Sequence, residues 1–213
     1  WHLVVLAKNE QGYHNLIKLV SRAWTDGFYM RPRTDHEDLE RYKEGLIVSS
    51  ACLGGEIPRK ILSGQMEEAE KAVLWFKSVF GDDYYLELQR HEVTDPTIRA
   101  NRETFPLQQR VNEALIGLSR KHGVKLICTN DTHFVDEENA EAHDRLICLS
   151  TGRELNDPSR MLYTKQEWFK TQAEMNAIFA DVPEALANTC EICDKVETYT
   201  IDHAPIMPNF DIP

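Results

Sequence analysis

Four apolar runs rich in β-branched and aromatic residues, at 1–7, 46–51, 84–88 and 124–128, alternate with stretches of helical periodicity, and this alternation restricts the fold more than anything else in the sequence. Residues 12–24 place Leu16, Leu19, Val20 and Ala23 on one face, 65–80 place Ala69, Ala72, Val73 and Phe76, and 107–122 place Val111, Ala114, Leu115 and Leu118. Apolar side chains recurring every three and four residues predict amphipathic helices. Gly81 and Gly123 follow two of them, the residue type that ends a helix in left-handed backbone. A connection as long as a helix joins parallel strands, since antiparallel neighbours need only a tight turn, so the expected class is α/β. Four βα units make half of a barrel or part of an open sheet. In both, functional groups gather where strands end.

Past residue 134 the alternation stops. Residues 138–150 and 172–196 read as helical, the second broken at Asp181-Val182-Pro183, and 199–213, with Pro205, Pro208 and Pro213, read as an extended linker. The chain is thus divided at 1–134, 135–198 and 199–213. It opens at Trp1 inside a strand pattern, with neither Met nor a leader before it, and is expected to be an excerpt of something larger.

Composition excludes several classes. With 42% hydrophobic and 28% charged residues the chain has a globular balance, and no apolar run approaches the roughly 18 residues that span a bilayer. The 24 Lys+Arg stand against 35 Asp+Glu, a net charge of −11, which argues against a protein that holds nucleic acid by charge alone. Its five cysteines, Cys52, Cys128, Cys148, Cys190 and Cys193, have no disulfide-framework spacing, so reduced thiols and a cytoplasmic setting are expected. Cys190 and Cys193 form a C-x-x-C on a predicted helix with no second ligand pair at finger spacing. They read as half-buried core thiols rather than a zinc or redox site.

The chemistry-bearing residues sit at strand ends. Thr129-Asn130-Asp131-Thr132-His133 closes the fourth run, and D-x-H there turns a carboxylate and an imidazole toward one point, a donor pair suited to Zn, Mn or Fe. Taken alone, the same spacing also fits a turn aspartate beside a surface histidine. Cys52 ends the second run before Gly54-Gly55-Glu56, where it is either a ligand, a nucleophile or a buried thiol ahead of a tight turn. His91 follows the third run and can line the same mouth; His143 and Asp144 can support the D-x-H turn from the next helix. His2 stands at the wrong end of its strand for such a site and reads as a partly exposed side chain. His14, His36, His122 and His203 read as solvated. No phosphate-binding loop, nucleophile elbow or dinucleotide fingerprint is present, so ATP hydrolysis, serine-hydrolase chemistry and Rossmann dehydrogenation have no support.

In combination the segments resemble the PHP (polymerase and histidinol phosphatase) domain of bacterial DNA polymerase III alpha subunits. The resemblance is carried by 2–9 with 12–16, Ser50-Ala51-Cys52-Leu53-Gly54-Gly55-Glu56, Tyr85-Leu86-Glu87-Leu88, Thr129-Asn130-Asp131-Thr132-His133, Ala142-His143-Asp144 with Thr151-Gly152, Leu155-Asn156-Asp157-Pro158 and residues 179–189. It implies a partial, distorted (β/α)7 TIM-like barrel of about four βα units with a helical extension, 1–134 being its C-terminal half, 135–198 the helical part and 199–213 the lead-in to a polymerase palm. It implies that His2, Cys52, Asp131 and His133 are metal ligands, which overrides the bland reading of His2. The family's other ligands, an H-x-H pair, an Asp, a His and a Glu, belong upstream of Trp1, and the palm aspartates with their Mg belong downstream of Pro213.

Some members of this family carry a metal-dependent 3′–5′ exonuclease in the PHP domain; in others the domain is structural and contacts a separate proofreading subunit. The implied partners are DNA, other replicase subunits and a proofreading subunit. The chain alone, with part of the ligand set, is expected to be inactive and can be metal-free. Its unpaired strand edges are expected to make it self-associate.

Overall fold

The computed structural model describes residues 1–93 and 97–207; Pro208 and Pro213 of the expected linker lie outside the described residues. Four strands, β1 (Val4–Ala7), β2 (Leu46–Ser49), β3 (Tyr84–Gln89) and β4 (Lys125–Thr129), form one sheet in the order β1-β2-β3-β4. β2 and β3 are parallel, with Val48 opposite Tyr84, as are β3 and β4, with Tyr85 opposite Lys125 and Gln89 opposite Thr129. The helices are α1 (Glu10–Thr25), α2 (His36–Arg41), α3 (Glu56–Leu62), α4 (Met66–Phe80), α5 (Arg99–His122), α6 (Ala140–Thr151), α7 (Gln172–Ile178) and α8 (Pro183–Asp194). This is the expected α/β class.

The chain divides into two compact units. The larger contains Trp1–Val5 and Val48–Cys193, and its core is β3, buried at all six positions. α4 and α5 pack on that strand. α4 turns Ala69, Ala72, Val73, Phe76 and Phe80 inward, and Phe76 stacks on Tyr84 at 5.0 Å between ring centroids. Fully burying one such aromatic contributes roughly 2–3 kcal/mol. α8 is tied to the sheet by Asn188, whose amide donates to the Leu126 carbonyl at 2.7 Å, and by Glu191, which accepts from the Tyr85 hydroxyl at 2.8 Å.

The smaller unit contains Leu6–Ile47 and the described part of Asp194–Pro213. Asn9 caps α1 by accepting from the Gly12 amide, and the segment after α8 has no regular secondary structure but bonds back through the Glu197 amide to the Lys8 carbonyl at 2.8 Å. Among the described residues no helix is long and apolar enough to cross a membrane.

Several expectations need correction. The first strand begins at Val4, not at residue 1; Trp1 is 79% exposed and contributes nothing to the core. α5 starts eight residues before the expected 107, running through Pro106. Proline lacks the N–H of an interior helical position and so reads in sequence as a stop, which put the expected start after it. α2, polar along most of its length, left no periodic signal.

Val20 lies on the exposed side of α1 rather than with buried Leu19. The thiols of Cys190 and Cys193 are exposed, not half-buried, and all five cysteines are free. His122 is not solvated: its Nε2 lies 2.6 Å from Glu70. The break at Asp181-Val182-Pro183 is real, with Pro183 opening α8 where a proline's missing N–H costs nothing. Gly81 and Gly123 do end α4 and α5 at positive φ.

Candidate metal centre

The turn after β2 is built around backbone that ordinary side chains avoid. Ala51, 1% exposed, has φ 58° and swings the chain so that Cys52 leaves the strand line. The Gly55 amide donates to the Cys52 carbonyl at 2.8 Å, and a Cβ at Gly55 would lie 2.2 Å from the Ser50 oxygen, so no other residue fits there. His2 enters this turn because β1 starts two residues after it: its amide donates to the Gly54 carbonyl at 2.9 Å, and its Nδ1 lies 3.2 Å from Cys52 Sγ. That placement removes the difficulty of a histidine at the wrong end of its strand.

The turn after β4 is clamped by the segment before α7. Asn130 donates through Nδ2 to the Gln166 and Trp168 carbonyls at 2.9 and 2.7 Å, while the Glu167 carbonyl accepts from the His133 amide at 2.7 Å. Asp131, at φ 45°, then presents Oδ1 3.5 Å from His133 Nε2. The His133, His143 and Tyr163 rings form a cluster, with 4.6 Å between the His133 and Tyr163 centroids and 4.9 Å between those of His143 and Tyr163. Burial and neighbouring His133 hold the His143 pKa below its ordinary value. Asp144 faces elsewhere: Arg160 engages both its oxygens, with Nη2 to Oδ2 at 2.9 Å.

Between the two turns is a cavity of about 160 Å³ whose walls include Cys52, His91, Gln108, Asp131, Tyr163 and Glu167. His91, 3% exposed, is fully engaged: Nε2 lies 2.8 Å from the Asn130 carbonyl, and Nδ1 lies 3.0 Å from the Gln108 amide nitrogen. A carbonyl can only accept, so Nε2 carries the proton and Nδ1 accepts. His91 is a strut for the D-x-H turn. Behind the cavity, buried Glu87 accepts from Ser49 Oγ, Thr129 Oγ1 and Gln89 Nε2, three donors that make a carboxylate inside the sheet tolerable.

The electrostatics are anionic. Burial chiefly, with Asp131 and Glu87 adding to it against the Gly54 amide, pushes the Cys52 thiol up; burial, then Asp131, Glu167 and Cys52, does the same to the Tyr163 phenol. Such a field favours a cation. Glu167 has one oxygen committed, Oε1 accepting from Thr164 N and Oγ1 at 3.0 and 2.6 Å; its Oε2 is buried without a hydrogen-bond partner among the described residues.

Among the described residues no three His, Cys, Asp or Glu side chains converge closely enough to hold a metal ion; the four ligand candidates stand as two pairs, His2 with Cys52 and Asp131 with His133. In donor chemistry, imidazole, thiol and carboxylate with an unbonded Glu167 oxygen at the same cavity fit Zn, Mn or Fe. Sequence reasoning missed Tyr163, Glu167, Gln108 and Glu87. Glu87, the one acid in β3, was legible as an anomaly; Glu167, in a loop with no periodicity, left no signal.

Comparison with known proteins gives the chain its relatives. A family model described as "PHP domain" matches residues 1–91. The DNA polymerase III subunit alpha of Borreliella burgdorferi is 47% identical over 215 residues, covering 100% of this chain and 18% of its own length. Those of Campylobacter jejuni and Treponema pallidum are 40% and 35% identical, covering 99% and 100% of this chain and each 17% of its own length. The chain belongs to the family of DNA polymerase III alpha subunits and corresponds to the PHP part of their sequences. It spans less than a fifth of the length of the curated relatives it matches.

Proposed function

We propose that the chain is the PHP part of a cytoplasmic replicative DNA polymerase, whose complete subunit extends DNA with Mg at aspartates outside this chain and works with DNA, other replicase subunits and a proofreading partner. Within it, His2, Cys52, Asp131 and His133 are four ligands of a larger metal set in the mouth of a (β/α)7-like barrel, and the site excises mispaired 3′ ends. The observation that carries this reading is that Cys52 and Asp131, from two different strand ends, line one cavity while each is paired with a histidine of the same set. Bound divalent metals would supply charge neutralisation on a phosphodiester and an activated water.

This chain's own part is positional. The Ala51 and Asp131 turns aim the donors, Asn130 and the Glu167 carbonyl hold the second turn, and His91 braces it through the Asn130 carbonyl. With its four donors standing as two pairs, the 213-residue chain is expected to show no nuclease activity on its own.

A second reading is favoured by the lack of any three converging donors among the described residues: a structural module that braces the polymerase and docks a proofreading subunit, with a vestigial site. Metal analysis of the complete subunit, purified without chelator, separates the two. Zn, Mn or Fe retained in the unaltered subunit and lost in Cys52→Ser supports the metal site. No retained metal, and no gain in thermal stability on adding it, supports the structural module.

A further inference from the structure

The smaller unit carries a feature that the metal reading does not use. Residues 24–33, Trp-Thr-Asp-Gly-Phe-Tyr-Met-Arg-Pro-Arg, leave α1 and double back on themselves. A Cβ at Gly27 would lie 2.0 Å from the Arg33 carbonyl oxygen, so the two arms of the loop touch there, and the Tyr29 amide donates to the Arg31 carbonyl at 3.1 Å. What this closed loop presents outward is aromatic. Trp24 and Phe28 stack at 5.7 Å with 19° between their planes, and they are 59% and 53% exposed; Tyr29 is 69% exposed and Met30 83%. Ile17 and Val20, one turn apart on the outward face of α1, extend the patch.

Charge distinguishes this patch from an ordinary apolar face. Arg31 and Arg33 are exposed and have no acidic partner among the described residues; Arg33 instead lies 5.1 Å over the Tyr29 ring. Four acids close by in sequence have other contacts: Asp26 and Asp38 share Arg22 at 2.9 and 3.0 Å, Glu37 meets Arg41 at 2.9 Å, and Asp35 caps α2. In a chain of net charge −11, two uncompensated guanidinium groups set among exposed rings form a local anion site with stacking faces. Aromatic faces that take bases, beside arginines that take phosphates, are the requirements of a single-strand binding surface; a duplex hides the π-faces this patch would use.

We propose that residues 24–33 are a docking platform for single-stranded DNA, bases stacking on Trp24, Phe28 and Tyr29 and the backbone held by Arg31 and Arg33. The choice of DNA rests on the family to which the chain belongs; the platform itself is independent of the metal site. The test is fluorescence anisotropy of a labelled oligo-dT titrated with the 213-residue chain at low salt. Binding is expected, weakened about tenfold by Tyr29→Leu, which keeps apolar area but removes the ring face. Arg31→Ala with Arg33→Ala should lower the slope of log affinity against log salt by about 1.4, at about 0.7 for each phosphate no longer neutralised.

In the unaltered chain, the indole resonance of Trp24 and the amides of Phe28 and Tyr29 are expected to shift on adding oligo-dT. This readout does not depend on any variant folding. Four results would each overturn the proposal: no binding, equal affinity for duplex DNA or tripolyphosphate, shifts confined to other surfaces, or a concentration-dependent dimer abolished by Tyr29→Leu with no DNA bound. Tighter binding of oligo-rU than of oligo-dT would overturn the assignment to DNA.

Discussion

Ala51 and Asp131 hold left-handed backbone, φ 58° and 45°, beside and at the two ligand candidates, Cys52 and Asp131, that line the cavity. Such backbone costs a non-glycine residue about 1–3 kcal/mol and persists only where the surroundings impose it. The thiol it positions is protected by its environment. Burial pushes Cys52 above its ordinary value and takes Cys128, 4% exposed, from 9.0 to about 12. The thiolate is the reactive form, so alkylation at neutral pH should modify exposed Cys190 and Cys193 first, Cys52 more slowly, and Cys128 only on unfolding.

The linkage follows in sign. Cys128 is held protonated in the fold, so its contribution is complete below pH 9.0 and is lost as pH rises toward about 12. Cys128→Ala should remove that part of the alkaline loss of stability, read as the pH dependence of the unfolding midpoint. Equal alkylation of all five cysteines at neutral pH would contradict this picture. Sequence made Cys52 and the D-x-H turn visible because their residue types stand out at strand ends. It could not show the strained turns or the Glu167 wall, which depend on where a non-periodic loop folds back.

At the scale of elements, the site is held by loops carried on strand ends, and the D-x-H turn is joined to residues 166–168 by hydrogen bonds. Asn130, 8% exposed, is the pin, with both Nδ2 bonds crossing that joint. Asn130→Ala takes one donor each from the part-buried carbonyls of Gln166, which keeps Lys170, and Trp168, and should cost about 1 kcal/mol. Amide exchange of His133 and Phe134, both bonded to the Glu167 carbonyl, should accelerate while β3 stays protected. Unchanged exchange at those amides would show the clamp to be inert.

The strands and the long amphipathic helices were legible because burial imposes a period on them, as in α4, whose inward face matches the expected residues. The early start of α5 was hidden by Pro106, and the late start of β1 by apolar Trp1 and Leu3, which sit outside a strand despite their type.

At the scale of the molecule, a four-stranded sheet in sequence order, with Cys52 and Asp131 at the ends of β2 and β4, brings side chains 79 positions apart to one cavity. Helices α4 and α5 give β3 its cover, and pairing with β3 on either side sets the distance between those strand ends. The two donor pairs therefore depend on the sheet register, not on local sequence. That is why a D-x-H spacing that means little alone gains meaning beside Cys52 and His2.

The central claim is that these pairs serve metal-dependent excision in the complete polymerase subunit. Its most direct test compares 3′–5′ removal of a mispaired terminal nucleotide with primer extension in the unaltered subunit and in Asp131→Asn. The account predicts that excision is lost while extension is retained; excision that continues undiminished in Asp131→Asn would contradict it.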